Sequence, residues 1–327
     1  MTSVSAALFE GAGTISVTSR DLPAPAPGEV RVNVLACALC GSDLRLFREG
    51  AAVTPGHEIL GGVAAPGHPL DGRRVLVYIP VFCGGCARCR AGDTHLCETD
   101  PDLIGWNRSG GYADALNVPE RCLLPVPDDI PDTLAPLLLD VIGTTAHAVR
   151  LAGKLLPPQC GALVLGAGPI GLGSILLAHT LGFSSVSVSE PHAYRRDLAL
   201  SLGASPWNGK GGKFDLVLES SGRAEARQAA IESVAPHGVV ALLGESGTPW
   251  PFTENRAIRR KDFWMLRSFY FPIGDFSANL ALLRANLPAY RHLVDRTCTF
   301  ENLSACFADF AAGRLAKPIF LPSAPGS

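Results

Sequence analysis

The sequence predicts an α/β protein of two domains, one a parallel sheet covered by helices and the other a half rich in short strands and turns. Three observations carry this expectation. The chain has 327 residues, above the size at which one hydrophobic core usually stops growing, so two domains of roughly 150 residues each are expected. Its first 130 residues read as short strands such as "EVRVNVLACALC" and "RRVLVYIPVF", punctuated by Gly and Pro. After about residue 143 apolar strand-like runs alternate with helical ones: "ALVL", a helical run to Leu181, "SVSVS", "AYRRDLALSL", "FDLVLES", a helical run from Ala224, and "GVVALLG". That alternation is the pattern of a parallel sheet with helical crossovers. Two further amphipathic helices, "ANLALLRANL" and "ENLSACFADFAAG", are expected near the end.

Composition removes several classes of function. The hydrophobic fraction of 47% is ordinary for a globular protein, and 28 Lys plus Arg against 30 Asp plus Glu give a formal charge of -2. Such a balance offers no basic field for nucleic acid, so none is expected as a partner. The N-terminus has no basic stretch before Arg20 and does not read as a signal or transit peptide. Residues Gly161 to Ala178 are apolar enough to raise the question of a membrane span, but five glycines and Pro169 within them point to a strand, a tight turn and a helix. No membrane partner is expected, and the cytoplasm is the default compartment.

Three motifs then carry chemistry, in chain order. Cys40 in "CGSD" and His57 in "GHE" supply two zinc ligands of mixed hardness; a catalytic zinc needs a third protein ligand and an open position. Cys83, Cys86, Cys89 and Cys97 follow at spacings of two, two and seven residues. A disulfide knot does not suit a chain of this size without a secretion signal, whereas four thiolates around one structural zinc fit the spacing. Gly166, Gly168 and Gly171, with Pro169 and Ile170 between the last two, form G-x-G-P-x-G directly after "ALVL" and open a helix. Gly166 makes the tight turn, Gly168 lets a pyrophosphate approach and Gly171 allows close helix-to-strand contact. The next strand ends at Glu190, 19 residues beyond Gly171, where a carboxylate accepts from the ribose hydroxyls of a dinucleotide. A carboxylate there repels a 2'-phosphate and favours NAD over NADP. Arg195 and Arg196 argue mildly the other way; one of them could lie over the adenine or touch the ribose.

The order "CGSD", "GHE", "CGGCARC", "GGYADALNVP", "LGAGPIGLG", "ESSG" resembles the zinc-dependent medium-chain alcohol dehydrogenases, including the polyol and threonine dehydrogenases, over essentially the whole chain. The resemblance implies a doubly wound Rossmann coenzyme domain, residues 143–271, inserted into a mostly antiparallel, partly open barrel-like catalytic domain, residues 1–142 plus 272–327. It implies two zinc ions per chain, NAD, and a homodimer or homotetramer. Carried onto this sequence, the third catalytic ligand is Asp140 in "LLLDVIGTTAHA", an acid costly to bury in an apolar run unless paired or metal-bound. Thr144 matches the threonine that contacts nicotinamide. Glu58 matches a carboxylate close behind the zinc that is at times a fourth ligand; Asp43 reads as the partner that fixes the His57 tautomer, the alternative being a salt bridge between domains. Ser42, two residues past Cys40, is the candidate proton relay.

The implied reaction is hydride transfer between NAD and a secondary alcohol or ketone, with a small polar, polyol or cyclitol-like substrate as the expected class. Trp106 and Ile79 are candidate pocket walls, with Tyr78 as readily structural and Phe269 and Tyr270 as further contributors. The chain departs from the pattern at Arg45, where many relatives carry a relay histidine. A guanidinium cannot act as a general base, which leaves a surface arginine or a contact to an anionic part of substrate or cofactor. Two other classes compete. A zinc-free quinone or enone reductase of the same fold needs neither metal cluster, and a zinc-ribbon module for nucleic acid leaves Cys40, His57, Asp140 and the glycine loop idle and lacks a basic footprint.

Overall fold

The computed structural model describes residues 2–99, 102–157, 159–252 and 254–322. Their contacts divide the chain into two compact units, one drawn from Met1–Leu139, Phe271–Phe276 and Val294–Ser327 and the other from Asp140–Tyr270 and Ser277–Leu293.

The first unit is built on a seven-stranded sheet. Its path runs Thr297–Cys298, Ile319–Phe320, Glu29–Ala38, Glu58–Val63, Arg74–Val77 and Leu123–Pro125, and Ala115–Pro119 adds to Glu29–Ala38 off that path. All these pairings are antiparallel except that of Thr297–Cys298 with Ile319–Phe320. In Glu29–Ala38 Val30, Val32, Val34 and Ala36 are buried while Arg31, Asn33 and Leu35 lie further out, the period-two pattern of a half-covered sheet, which gives way to full burial at Cys37 and Ala38. Beneath it Phe9, Tyr112, Phe307 and Phe320 form an aromatic core: Tyr112 stacks on Phe9 at 5.7 Å and meets Phe307 and Phe320 edge-on at 5.5 and 5.7 Å. Each such ring is worth about 2–3 kcal/mol in burial alone.

The second unit holds a six-stranded sheet in the order Ser205–Pro206, Ser185–Ser189, Gly161–Leu165, Phe214–Glu219, Val234–Leu242, Trp264–Arg267, with every neighbour parallel. Gly161–Leu165 and Phe214–Glu219 are buried almost throughout, as strands covered on both faces must be. The chain starts in the middle, steps outward to one side through Ser185–Ser189, then returns to build the other side from Phe214–Glu219. This doubly wound order places its switch point between Gly161–Leu165 and Phe214–Glu219, and ligands of such sheets bind beyond the strand ends there. The apolar stretch from Gly161 becomes the strand Gly161–Leu165 and the helix Pro169–Thr180. Among the described residues no helix is long and apolar enough to cross a membrane.

Candidate active site and metal centres

Strand register brings the first cluster together. Ala38 pairs with Glu58 and Cys37 with Ile59, so Cys40, two residues past one partner, and His57, one before the other, leave the same end of neighbouring antiparallel strands. The ligand atoms of Cys40, His57 and Glu58 lie within 4.8 Å of one another, and all three residues are buried. Gly56 sets up His57: its φ is +97°, and a Cβ there would come within 3.0 Å of the Tyr112 backbone and ring.

Asp43 joins the two halves of the cluster. It is fully buried at the start of the helix Asp43–Glu49. One carboxylate oxygen accepts from the Cys40 amide at 3.1 Å and from the Tyr112 hydroxyl at 2.7 Å. The other stands 3.1 Å from His57 Nδ1, an ion-pair distance whose alignment falls short of a good hydrogen bond. With Nδ1 facing a carboxylate, Nε2 is the nitrogen suited to a metal. Burial, and then Asp43 itself, push the Tyr112 phenol well above its ordinary value, so its hydroxyl stays a donor.

Behind Glu58 lies a residue that the sequence did not single out. Lys317, also fully buried, pairs with Glu58 Oε1 and donates to the Leu39 carbonyl at 2.9 Å. A charged residue inside the apolar "LAKPIF" was the one available signal, since a lysine is almost never fully buried unless paired. Over His57 lies Trp106, their rings 5.6 Å apart and 29° from parallel, with the Arg45 guanidinium 5.2 Å above the indole. Ser42 is half-buried at the head of the same helix as Asp43. Ile79 is buried, and Tyr78 takes a structural part, donating to the Phe271 carbonyl at 2.5 Å.

The four cysteines form a separate centre. The Sγ atoms of Cys83, Cys86, Cys89 and Cys97 lie within 4.8 Å of one another. Backbone amides of Gly85 and Cys86 point at Cys83 Sγ, at 3.3 and 3.2 Å, and hold that thiol down to about 6. The Cys89 thiol is pushed up to about 12, by burial first and then by neighbouring thiols. Between Phe82 and Thr99 only Thr94 and His95 are buried, so this lobe has no apolar core of its own and its order requires another source. Four thiol donors at tetrahedral spacing fit a structural zinc that supplies it. Thr94 Oγ1 also accepts from the Ile273 amide at 2.9 Å, tying the lobe to the segment Phe271–Phe276.

In the second unit the three glycines separate by cause. Gly166 has φ +92° and its Cβ would meet Ser221 at 2.9 Å; a Cβ on Gly171 would stand 1.8 Å from the Gly166 carbonyl. Both are required by the protein's own packing. At Gly168 a Cβ would meet nothing within 4 Å, so the protein's own packing does not require this glycine, which stands at the head of the helix Pro169–Thr180 that Pro169 and Ile170 open. Glu190 lies against this loop: its carboxylate accepts from the Ala167 amide at 2.6 Å and from the His192 amide at 2.8 Å. Arg195 is half-buried on the helix Ala193–Ser201, and Arg196 reaches back to the carbonyls of Glu190 and Pro191. Asp140 is the second residue of the six-residue π-type turn Leu139–Thr144 and accepts from Thr144 Oγ1 at 3.1 Å.

Comparison with known proteins agrees with this chemistry. Residues 26–128 match the alcohol dehydrogenase GroES-like domain and residues 169–285 the zinc-binding dehydrogenase family. An L-threonine 3-dehydrogenase of Pyrococcus horikoshii is 34% identical over 250 residues, 68% of this chain and 70% of the relative. The chain belongs to the zinc-dependent medium-chain alcohol dehydrogenases. Among solved structures, an alcohol dehydrogenase from Thermus sp. ATN1 is 27% identical with a TM-score of 0.86, covering 97% of this chain and 99% of its own. Galactitol-1-phosphate dehydrogenase from Escherichia coli is 26% identical with the same TM-score of 0.86, over 97% of this chain and all of its own. The dehydrogenase is therefore an oxidoreductase of the zinc- and NAD(P)-dependent alcohol type. A zinc-free reductase and a nucleic-acid module both fall away, since each would leave a buried Cys40, His57 and Glu58 cluster without purpose.

Proposed function

We propose that this dehydrogenase oxidises a small polar secondary alcohol, reversibly and with NAD, at a catalytic zinc held by Cys40, His57 and Asp140, while Cys83, Cys86, Cys89 and Cys97 hold a second, structural zinc. The observation that carries the reading is the buried convergence of Cys40, His57 and Glu58 within 4.8 Å, three donors that would be costly to bury together for packing alone. When bound, the catalytic zinc supplies Lewis acidity at the substrate oxygen and the nicotinamide accepts the hydride. The chain's own groups do the rest. Asp43 fixes the His57 ring so that Nε2 ligates, and Lys317 neutralises Glu58, which serves as a reserve ligand. Ser42 takes the proton from the substrate hydroxyl while donating its own to the cofactor ribose hydroxyl or to water. Thr144 orients the nicotinamide, Gly166 to Gly171 seat the pyrophosphate, and Glu190 receives the ribose hydroxyls, with Arg195 beside the adenosine.

The named relatives act on L-threonine and galactitol 1-phosphate, polar alcohols both, which supports the substrate class. All ten cysteines are free thiols, which suits a reducing cytoplasm. A homodimer or homotetramer belongs to the same reading; the outer strand Trp264–Arg267 exposes Trp264 and Met265 at the sheet edge.

Asp140 is the decisive ligand. Exchange of Asp140 for Asn preserves shape and removes charge, and zinc quantification on that variant is expected to find about one ion per chain, firmly held by the cysteine lobe, with alcohol oxidation lost. Retention of two ions and wild-type turnover would transfer the ligand role to Glu58.

A further inference from the structure

Arg45 is a permanent cation and can neither take nor relay a proton, yet three separate observations tie it to the site. It lies three residues after Ser42 at the head of the helix Asp43–Glu49, so the two side chains rise from one face. Its guanidinium stands 5.2 Å over the ring of Trp106. That ring in turn is stacked on the imidazole of His57 at 5.6 Å. The residue is exposed, and it sits in the first turn of its helix, where a cation gains nothing from the helix dipole.

A cation this close to an indole ring is attracted by it, and a guanidinium presents its N–H groups as a planar fork, the shape that grips carboxylate or phosphate in two-pronged fashion. We propose that Arg45 determines specificity by binding an anionic oxygen group, carboxylate or phosphate, carried by the substrate alongside its carbinol carbon. This rests on the alcohol-oxidation reading and narrows it: the preferred substrate is a hydroxy acid or a phosphorylated alcohol, and a neutral polyol is a poor one. Trp106 sets the position of the guanidinium relative to His57 and so sets the spacing between the anionic group and the oxidised carbon.

The test compares two alcohols that share a carbinol, 3-hydroxybutyrate and 2-butanol, in the zinc-loaded wild type and in the Arg45→Gln and Arg45→Lys variants. One charge-assisted contact predicts a preference of about 10–100-fold in kcat/KM for the anionic member. That ratio is expected to collapse to within about threefold in Arg45→Gln, mainly through KM, and to stay intermediate in Arg45→Lys, which keeps the charge without the fork. Fluorescence titration with NADH separates the two sources of anion: a weaker NADH complex with an unchanged substrate ratio assigns Arg45 to the cofactor phosphates and overturns the proposal. So does a wild type that oxidises both alcohols equally well, or a variant that loses both by the same factor. Calorimetry with butyrate and butyramide on the NADH complex needs no turnover. A preference for butyrate that Arg45→Gln abolishes supports the anion site even if no alcohol is oxidised, in which case the oxidation reading alone fails; equal binding of the two overturns the Arg45 assignment.

Discussion

Asp43 accepts on one oxygen from both the Cys40 amide and the Tyr112 hydroxyl, and turns its other oxygen to His57. The arrangement makes Tyr112 a positioning residue two steps removed from the metal. In the sequence Tyr112 is only one letter of the motif "GGYADALNVP"; its ring packs, stacked on Phe9, but where the hydroxyl points is not legible, because its partner lies 69 positions away. Tyr112→Phe keeps the ring and removes only that hydroxyl. We expect the catalytic zinc to be held about 3–10-fold less tightly, at the lower end of what a disturbed ligand partner costs. Competition with a chromophoric chelator measures this, the cysteine-bound zinc serving as internal reference. An unchanged competition curve would return Tyr112 to packing alone.

Among the elements, the short-range motifs were the legible ones. Four cysteines within fifteen residues and a glycine loop wedged between strand and helix announce themselves because their partners are close in sequence, and the structure gathers both. The meeting of Cys40 with His57 depends on the register of Glu29–Ala38 against Glu58–Val63, which spacing alone does not set. Glu190 shows a further limit. The sequence offers it to the ribose, whereas the structure also has it bracing the loop through the Ala167 amide. The two tasks separate by substitution. Glu190→Gln keeps an oxygen for Ala167 but removes the charge, and is expected to shift the ratio of NADH to NADPH affinity about tenfold toward NADPH, the scale of one hydrogen bond to a charged group. Glu190→Ala also frees the loop amide and weakens both cofactors. Equilibrium titration with each cofactor reads the ratio, and a ratio that does not move would mean that Glu190 only braces the loop.

On the scale of the whole molecule, the parallel and antiparallel halves were legible from the change in texture near residue 143, since strand and helix periodicities differ in any context. The link from Lys317 to Glu58 was not legible, because 259 residues separate them. A buried pair of this kind adds little over an apolar pair, but removing one partner strands the other's charge, at a cost of about 3–5 kcal/mol. Lys317→Met is accordingly expected to destabilise the zinc-loaded protein by that amount in denaturant unfolding, and Lys317→Met combined with Glu58→Gln to recover most of it. If the double variant is no more stable than the single one, the two charges are not coupled.

The same link has a consequence for how the protein is made. Glu58 and the strand it begins leave the ribosome 259 residues ahead of Lys317, an interval of roughly 13–52 s at ordinary elongation rates of about 5–20 residues per second. Throughout that interval the carboxylate lacks this counter-charge and the strand Glu29–Ala38 lacks the neighbour that Ile319–Phe320 later becomes. The parallel-sheet unit, complete in sequence by residue 293, is free to fold while the half that started first still waits for its last strand. Sequence order thus makes the pairing of Glu58 with Lys317, and of Glu29–Ala38 with Ile319–Phe320, contacts that can form only after the whole nucleotide-binding half has been synthesised.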